Sequence, residues 1–348
     1  MLYRILIMLF LFSQIISQSL FNRIMPEEYY IGDTRSKGIG HTYLSNGRTS
    51  MLSLSNPARI AKLKNHVFDI QANLLSITER KSMIVLDGWG EFLAETDYVN
   101  NQTNLLNHSF GILYKVKRKF GLAFVQAPLF SLNYNYEEEV RADSDPYDGI
   151  IDIRDPLIGF HTYSTTGNLI VQSLGFGFRQ RNVAIGFSIN KIKPFTIKDQ
   201  VFVNVIDQSY YESNNMVDNI ENFTTHHRVN PSSQYYITSL DVKVNKHLDF
   251  IFSYQQGLDG DYSDLEISNQ IGLPLLFDKD DNDSPLEYLI GSLKYAIPEK
   301  TQLGFLYNSK NNSKISIAFE VTRKKWNYSN PTPIFDNSTN EFRFGFEY

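Results

Sequence analysis

The chain has 348 residues, 42% hydrophobic and 20% charged, with no cysteine and a formal net charge of -5. Lack of cysteine excludes disulfides, a thiol nucleophile and cysteine-based zinc sites, and the negative charge removes the usual electrostatic case for nucleic acid as a partner. No apolar run is long enough for a membrane-spanning helix, while 25 Phe and 21 Tyr against 12 Pro bias the chain toward strands.

Residues 1–4 carry one positive charge, residues 5–16 are apolar apart from Ser13 and Gln14, and Ser17-Gln18-Ser19 follows. That three-part pattern predicts a secretory signal peptide over 1–19 and an exported mature protein; a buried N-terminal helix is the alternative. Residues 20–65 carry Gly32, Gly38, Gly40 and Gly47 among scattered polar side chains, then Asn56-Pro57, which starts a turn. Such a segment suits a crowded interior, where glycine permits tight backbone paths. A disordered periplasmic tail is the competing account.

From residue 66 onward, apolar residues recur at every second position. Phe68, Ile70, Ala72 and Leu74 form the first set, and Phe110, Ile112, Tyr114 and Val116 the next. Phe130, Leu132, Tyr134 and Tyr136 follow, then Val183, Ile185, Phe187 and Ile189. Phe250, Phe252 and Tyr254, then Leu303, Phe305 and Tyr307, then Ile315, Ile317 and Phe319 continue the pattern. Alternation gives each strand one apolar and one polar face. The expected fold is an all-β, antiparallel transmembrane barrel over residues 66–348. Weaker strands at 82–93, 157–163 and 200–206 bring the count to about fourteen, an even number as bacterial barrels have.

Tight connections are expected at Lys117-Arg118-Lys119, Arg179-Gln180-Arg181, Asn245-Lys246-His247, Pro298-Glu299-Lys300 and Asn311-Asn312-Ser313. Long acidic or polar ones are expected at about 141–156, 212–233, 257–285 and 323–340. Short turns on one side and long loops on the other are typical of an outer-membrane barrel. Alternation alone leaves a soluble sandwich open, because either solvent or lipid could meet the outer face. Pro128 interrupts the run from 120 to 136, and a ladder cannot accept proline without a bulge or bend. The expectation is either the outer rim of the membrane or a lateral opening at Ala127 and Pro128, framed by Phe124 and Phe130. The chain ends on alternating Phe342, Phe344, Phe346 and Tyr348. That row resembles the terminal-strand signal read by the bacterial barrel-assembly machinery, which makes the machinery an expected partner.

Residues 33–62 carry Arg35, Gly38, Gly40, Ser50, Asn56, Pro57 and Ala58. In this spacing they resemble the N-terminal motif of the long-chain fatty acid transporter (FadL) family and the related PorV/PorQ outer-membrane proteins. His41 stands where a third glycine is usual, and Arg59 where glycine is common. The resemblance implies a 14-strand barrel in the outer membrane, with residues 20–65 folded into its lumen as a plug. It implies passive transport of hydrophobic, fatty-acid-like small molecules; a PorV-like role in type IX secretion with protein cargo, or a structural barrel, are the alternatives.

No catalytic motif, phosphate loop or zinc motif is present, so no enzyme, cofactor or metal is expected. His226-His227 lies in a polar stretch read as a loop, where neighbouring side chains point apart. Asp143, Asp145 and Asp148, and the run from Asp278 to Asp283, are read as solvated loops; loose divalent binding beside lipopolysaccharide is the alternative.

Overall fold

A computed structural model describes residues 27–86, 92–131, 133–141, 157–193, 196–205, 223–229, 234–260, 262–268, 295–309, 315–325 and 338–348. The expected signal peptide, both acidic clusters and much of the expected long loops lie outside them. Strand β1 is Glu27–Glu28, and β2 to β5 are Val67–Leu86, Phe92–Val116, Phe120–Ser131 and Tyr134–Arg141. Next come β6 Leu157–Thr166, β7 Asn168–Gln180, β8 Val183–Ile192, β9 Thr196–Val205 and β10 Phe223–Val229. Then follow β11 Gln234–Lys243, β12 Leu248–Gln255, β13 Leu258–Gly260 and β14 Tyr262–Ser268. The last four are β15 Tyr295–Ile297, β16 Glu299–Asn308, β17 Ser316–Lys325 and β18 Ser338–Glu347. Between β1 and β2 lie three one-turn helices, α1 Thr34–Gly38, α2 Tyr43–Asn46 and α3 Pro57–Ile60, and a 3-10 turn at Ser50–Leu54.

Ten strands form one antiparallel path, β18-β17-β16-β12-β11-β8-β7-β4-β3-β2, with β1 attached to β4. A second sheet, β14-β10-β9-β6-β5, repeats the order of the middle of that path. Four of its five members are chain neighbours of a wall strand: β5 follows β4, β6 precedes β7, β9 follows β8, and β10 precedes β11, while β14 follows β12 after the short β13. These are long strands broken once, not additional wall strands. The fourteen expected strands therefore reduce to ten in the described ladder. The segment at 157–163 lies in β6, which leads into β7, and 200–205 lies in β9, which continues β8, while 82–86 belongs to β2 and 92–93 to β3.

Other expectations need correction. His226 and His227 sit in β10, with a register shift between them against β14, and not in a loop. Parts of the expected long connections are strands too, namely β10, β13 and β14. Pro298 is not a hairpin turn: it separates β15 from β16 along one line, and its carbonyl accepts from Gln255 Nε2 at 2.9 Å. Proline can stand there because its missing N–H falls at the break between two ladders.

Laid flat, ten strands would span about 43 Å at the usual spacing. Yet Arg35 and Lys37 of α1, at most about 7 Å apart along the chain, reach the two ends of the path. Arg35 Nε donates to Glu347 Oε1 on β18 at 2.7 Å, and Lys37 Nζ donates to Asn73 Oδ1 on β2. The sheet is therefore strongly curled around residues 29–63. No ladder joins β18 to β2 among the described residues, and their outward side chains are more exposed than those of inner strands, Ile70 at 72% and Phe344 at 61% against 41% for Phe187.

Candidate functional site

The curl puts small and polar residues on its concave face. Ser173, Ser188, Asn190, Asp241 and Ser253 are fully buried, and so are Ala184 and Ala123. Large apolar residues face the opposite way: Ile112, Leu122, Phe124, Phe176, Ile185, Phe187, Leu303, Phe305 and Phe319 are all exposed. In a water-soluble sandwich the apolar phase of each strand is the core; here it is the surface. An exposed apolar belt on this scale marks contact with another apolar phase.

The expected plug motif is brought together against the concave face. Asn56 caps α3, its Oδ1 accepting from Arg59 N at 3.3 Å, while its Nδ2 donates to Leu44 O at 2.9 Å. Pro57 takes the first helical position, where no N–H is needed. Ala58 N donates to Ser239 Oγ on β11 at 2.7 Å, and a Cβ on Gly186 of β8 would strike the Pro57–Ala58 peptide. Asn-Pro-Ala is thus a cap, a helix start and a small contact residue. Ser50 N donates to Asp69 Oδ2 on β2 at 2.6 Å. Gly40 has φ +73°, and a side chain there would enter the Phe344 carbonyl of β18. Nothing crowds Gly38, and the structure gives no reason for glycine at that position.

The two departures from the family motif have their own contacts. His41 adopts φ +58°, which suits glycine better, and its ring packs edge-on to Tyr30 at 4.2 Å. Arg59 Nε donates to Gly47 O at 3.2 Å, and its Nη1 donates to Asp241 Oδ2 at 3.2 Å.

A set of wall carboxylates escaped the reading of sequence alone. Asp241 of β11 also meets Lys62, which reaches Asp249 of β12 at 3.4 Å. Glu320 of β17, 1% exposed, accepts from Ser45 N at 2.8 Å and from the Ser45 hydroxyl. With Asp69 and Glu347, these acids hold the segment at both ends and in the middle. Acids at the inward phase of Ser- and Gly-lined strands, facing a segment with Arg35, Arg59 and Lys62, were the signal. Burial pushes the Tyr43 hydroxyl well above its ordinary range, so it remains a neutral phenol 2.6 Å from Thr49 Oγ1. Burial lowers the Lys37 ammonium from its usual value.

On the side away from the short turns, the concave face becomes apolar. Ala127, Leu129, Phe130, Leu169, Val171, Ile192, Tyr235, Ile237 and Ile297 form one buried cluster with Met51, Leu52 and Leu54. At this level the wall divides. The β3–β4 ladder ends at Phe110↔Gln126, whereas β3 continues alongside β2 to Phe92. Beyond Gln126 the free side of β4 takes β1, pairing Glu28↔Phe130 and Glu27↔Ser131, and Tyr29 N donates to Leu129 O at 2.8 Å. Against β7 the register shifts between Pro128 and Phe130, where proline predicts a bulge. The bulge inverts the alternation. Phe124 faces outward at 38% exposure while Phe130 is buried on the concave side at 2%, so the two do not frame one face as expected.

Phe342, Phe344 and Phe346 form an exposed outward row on β18, and Tyr348, the residue after it, is exposed as well. Among the described residues no three His, Asp or Glu side chains are grouped to hold a metal ion. No protein-family model and no curated protein matches the chain. Among solved structures, the crystal structure of the Pseudomonas putida toluene transporter TodX is similar at 12% identity and a TM-score of 0.42, over 97% of this chain and 90% of that one.

Proposed function

We propose that the chain is an outer-membrane β-barrel in which residues 20–65 plug the lumen, and that it passes hydrophobic small molecules across the membrane without an energy source. The observation that carries this is the inverted wall: apolar residues exposed on the convex side, small and polar ones buried on the concave side. Lipid is the solvent that favours such a surface. The buried apolar cluster between the plug and the wall supports a hydrophobic solute, since a path opened there by movement of the plug would offer an apolar molecule contact and few polar partners. The division between β3 and β4 supports a sideways exit at Ala127, Pro128 and Phe130, next to the β4 edge that β1 covers.

Uptake of labelled fatty acids and aromatic hydrocarbons into vesicles holding the purified barrel tests this reading. Wild type should exceed empty vesicles several-fold, and Pro128→Val, which restores a ladder donor, should reduce uptake to near background without unfolding the barrel. Undiminished uptake by a well-folded Pro128→Val protein would remove the lateral exit. A folded wild type without uptake would remove transport.

The same reading makes β18 the assembly signal. Replacing Phe346 and Tyr348 together by Ala should leave unfolded protein in the periplasm, with little of the heat-modifiable species on gels. Wild-type amounts of folded barrel in that double variant would contradict it.

A further inference from the structure

We infer that the short-turn rim is a docking surface for anionic phospholipid headgroups, an inference that rests on the membrane reading above. Three turns join adjacent hairpins along the path: Lys117-Arg118-Lys119 between β3 and β4, Arg181-Asn182 between β7 and β8, and residues 244–247 between β11 and β12. None contains an acidic residue.

Backbone hydrogen bonds fasten these turns into one band. Arg179 N donates to Lys119 O at 2.8 Å, Lys243 N to Asn182 O at 2.8 Å, and Asn308 N to His247 O at 2.7 Å. The cations are thus held at fixed spacing along one rim and are not scattered on independent loops. Lys117, Arg118, Lys119, Arg181 and Lys246 are exposed, and the described residues offer none of them an ion-pair partner. Among the described residues, the acidic side chains at this end face inward and are engaged: Asp241 and Asp249 hold Arg59 and Lys62, and Glu347 holds Arg35.

Two of the cations occupy costly backbone. Lys117 has φ +58° and Arg181 φ +54°, the region that glycine or asparagine fills with less strain. Two-residue and three-residue turns usually put such residues there, so the charge is present despite the backbone preference.

Position gives the ligand. Phe120, exposed, adjoins Lys119, and Val183, exposed, lies two residues past Arg181. At about 3.3 Å per residue, the cations sit within about 3–10 Å of the last apolar belt residues. The headgroup layer adds about 5–8 Å beyond the hydrocarbon on each side, so the rim lies at the level of lipid phosphates. Long lysine and arginine side chains can lay their stems along the belt and hold their charges there.

The test uses the purified full chain in vesicles of equal phosphatidylcholine and phosphatidylglycerol, reading which lipid stays with the barrel on gentle extraction. Each cation near an anionic surface is worth about fivefold in partition, so wild type should retain phosphatidylglycerol over phosphatidylcholine by about fivefold or more. The combined variant Lys117→Gln, Arg118→Gln, Lys119→Gln and Arg181→Gln should fall toward no preference while staying heat-modifiable. Should that variant not fold, wild type in about 1 M salt, where screening acts within about 3 Å, decides in its place: the preference must collapse. A wild type without preference, a folded variant that keeps it, or a preference indifferent to salt would overturn the inference. So would a wild type that ignores phosphatidylglycerol yet binds immobilised polyglutamate, which would mark the rim as a protein-docking face. A chain that forms no heat-modifiable species in any vesicle would instead overturn the membrane reading, and the rim with it.

Discussion

Deleting residues 20–65 is expected to raise single-channel conductance in planar bilayers by about an order of magnitude, because a wall lined by small residues leaves water where the segment stood. The glycines show how completely the segment fills that space. A Cβ on Gly121 would come 2.7 Å from Ile60, one on Gly175 2.6 Å from Ser53, and one on Gly177 2.6 Å from the Pro57 carbonyl. Four neighbouring strands, β3, β4, β7 and β8, thus present glycine where the segment touches them. Removing the insert leaves those positions without side chains to replace it. If the deleted chain folds poorly, Gly186→Leu gives the same test with the segment attached. The new side chain would occupy the place of the Pro57–Ala58 peptide, push α3 off the wall, and raise conductance in the same direction. Unchanged conductance in both, with the segment freely cleaved by protease in intact vesicles, would show that it does not plug the lumen.

Asp241→Ala should be the most destabilising single substitution in the wall. Asp241 is fully buried, and the side chains of Arg59 and Lys62 are each only 13% exposed. Removing the acid leaves two largely buried cations with one remaining partner, Asp249 at 3.4 Å from Lys62. Breaking a buried ion pair from one side costs about 3–5 kcal/mol. Asp249 offsets part of that for Lys62 but none of it for Arg59. Denaturant unfolding of the reconstituted barrel should show a lowered midpoint, and protease should clip residues 20–65 at lower denaturant than in wild type. Replacing the whole group together, Arg59→Leu, Lys62→Met, Asp241→Leu and Asp249→Asn, should recover most of the loss, because Asp249, which pairs with Lys62, would otherwise be left as an unpaired, largely buried charge. An Asp241→Ala protein with unchanged unfolding and protection would mean the triad does not hold the segment.

Period-two alternation made most strands legible, because side chains on a pleated strand must alternate whichever solvent they meet. It could not assign the faces. Phe187 and Ser188 read identically in a sandwich and a barrel, and only the curl decides that Phe187 is outside. Strand breaks were also hidden. Alternation of aromatic residues runs on from Phe130 to Tyr136, although the ladder changes between Ser131 and Tyr134, so the pattern reads a broken strand as continuous there and as separate strands elsewhere. The helices of the inserted segment span four or five residues each, too short for any 3.6-residue period to register. Asn-Pro by itself predicts a turn, whereas Asn56 and Pro57 form a helix cap and its first residue. The pairing of Asp241, Glu320 and Glu347 with Lys62, Ser45 and Arg35 spans sequence separations that no local pattern can express.

On the proposed reading, the apolar face of the wall meets lipid. The chain has no cysteine, so single cysteines can be placed without background at positions 183 to 190 other than Gly186, where a side chain would displace α3, and spin-labelled in the reconstituted protein. Labels at Val183, Ile185, Phe187 and Ile189 should be reached by membrane-soluble oxygen and shielded from a water-soluble nickel complex. Labels at the intervening positions should be shielded from oxygen, giving a period of two along β8. Labels at Ile185, Phe187 and Ile189 that are open to the nickel complex, or closed to both reagents as in a packed core, would contradict it.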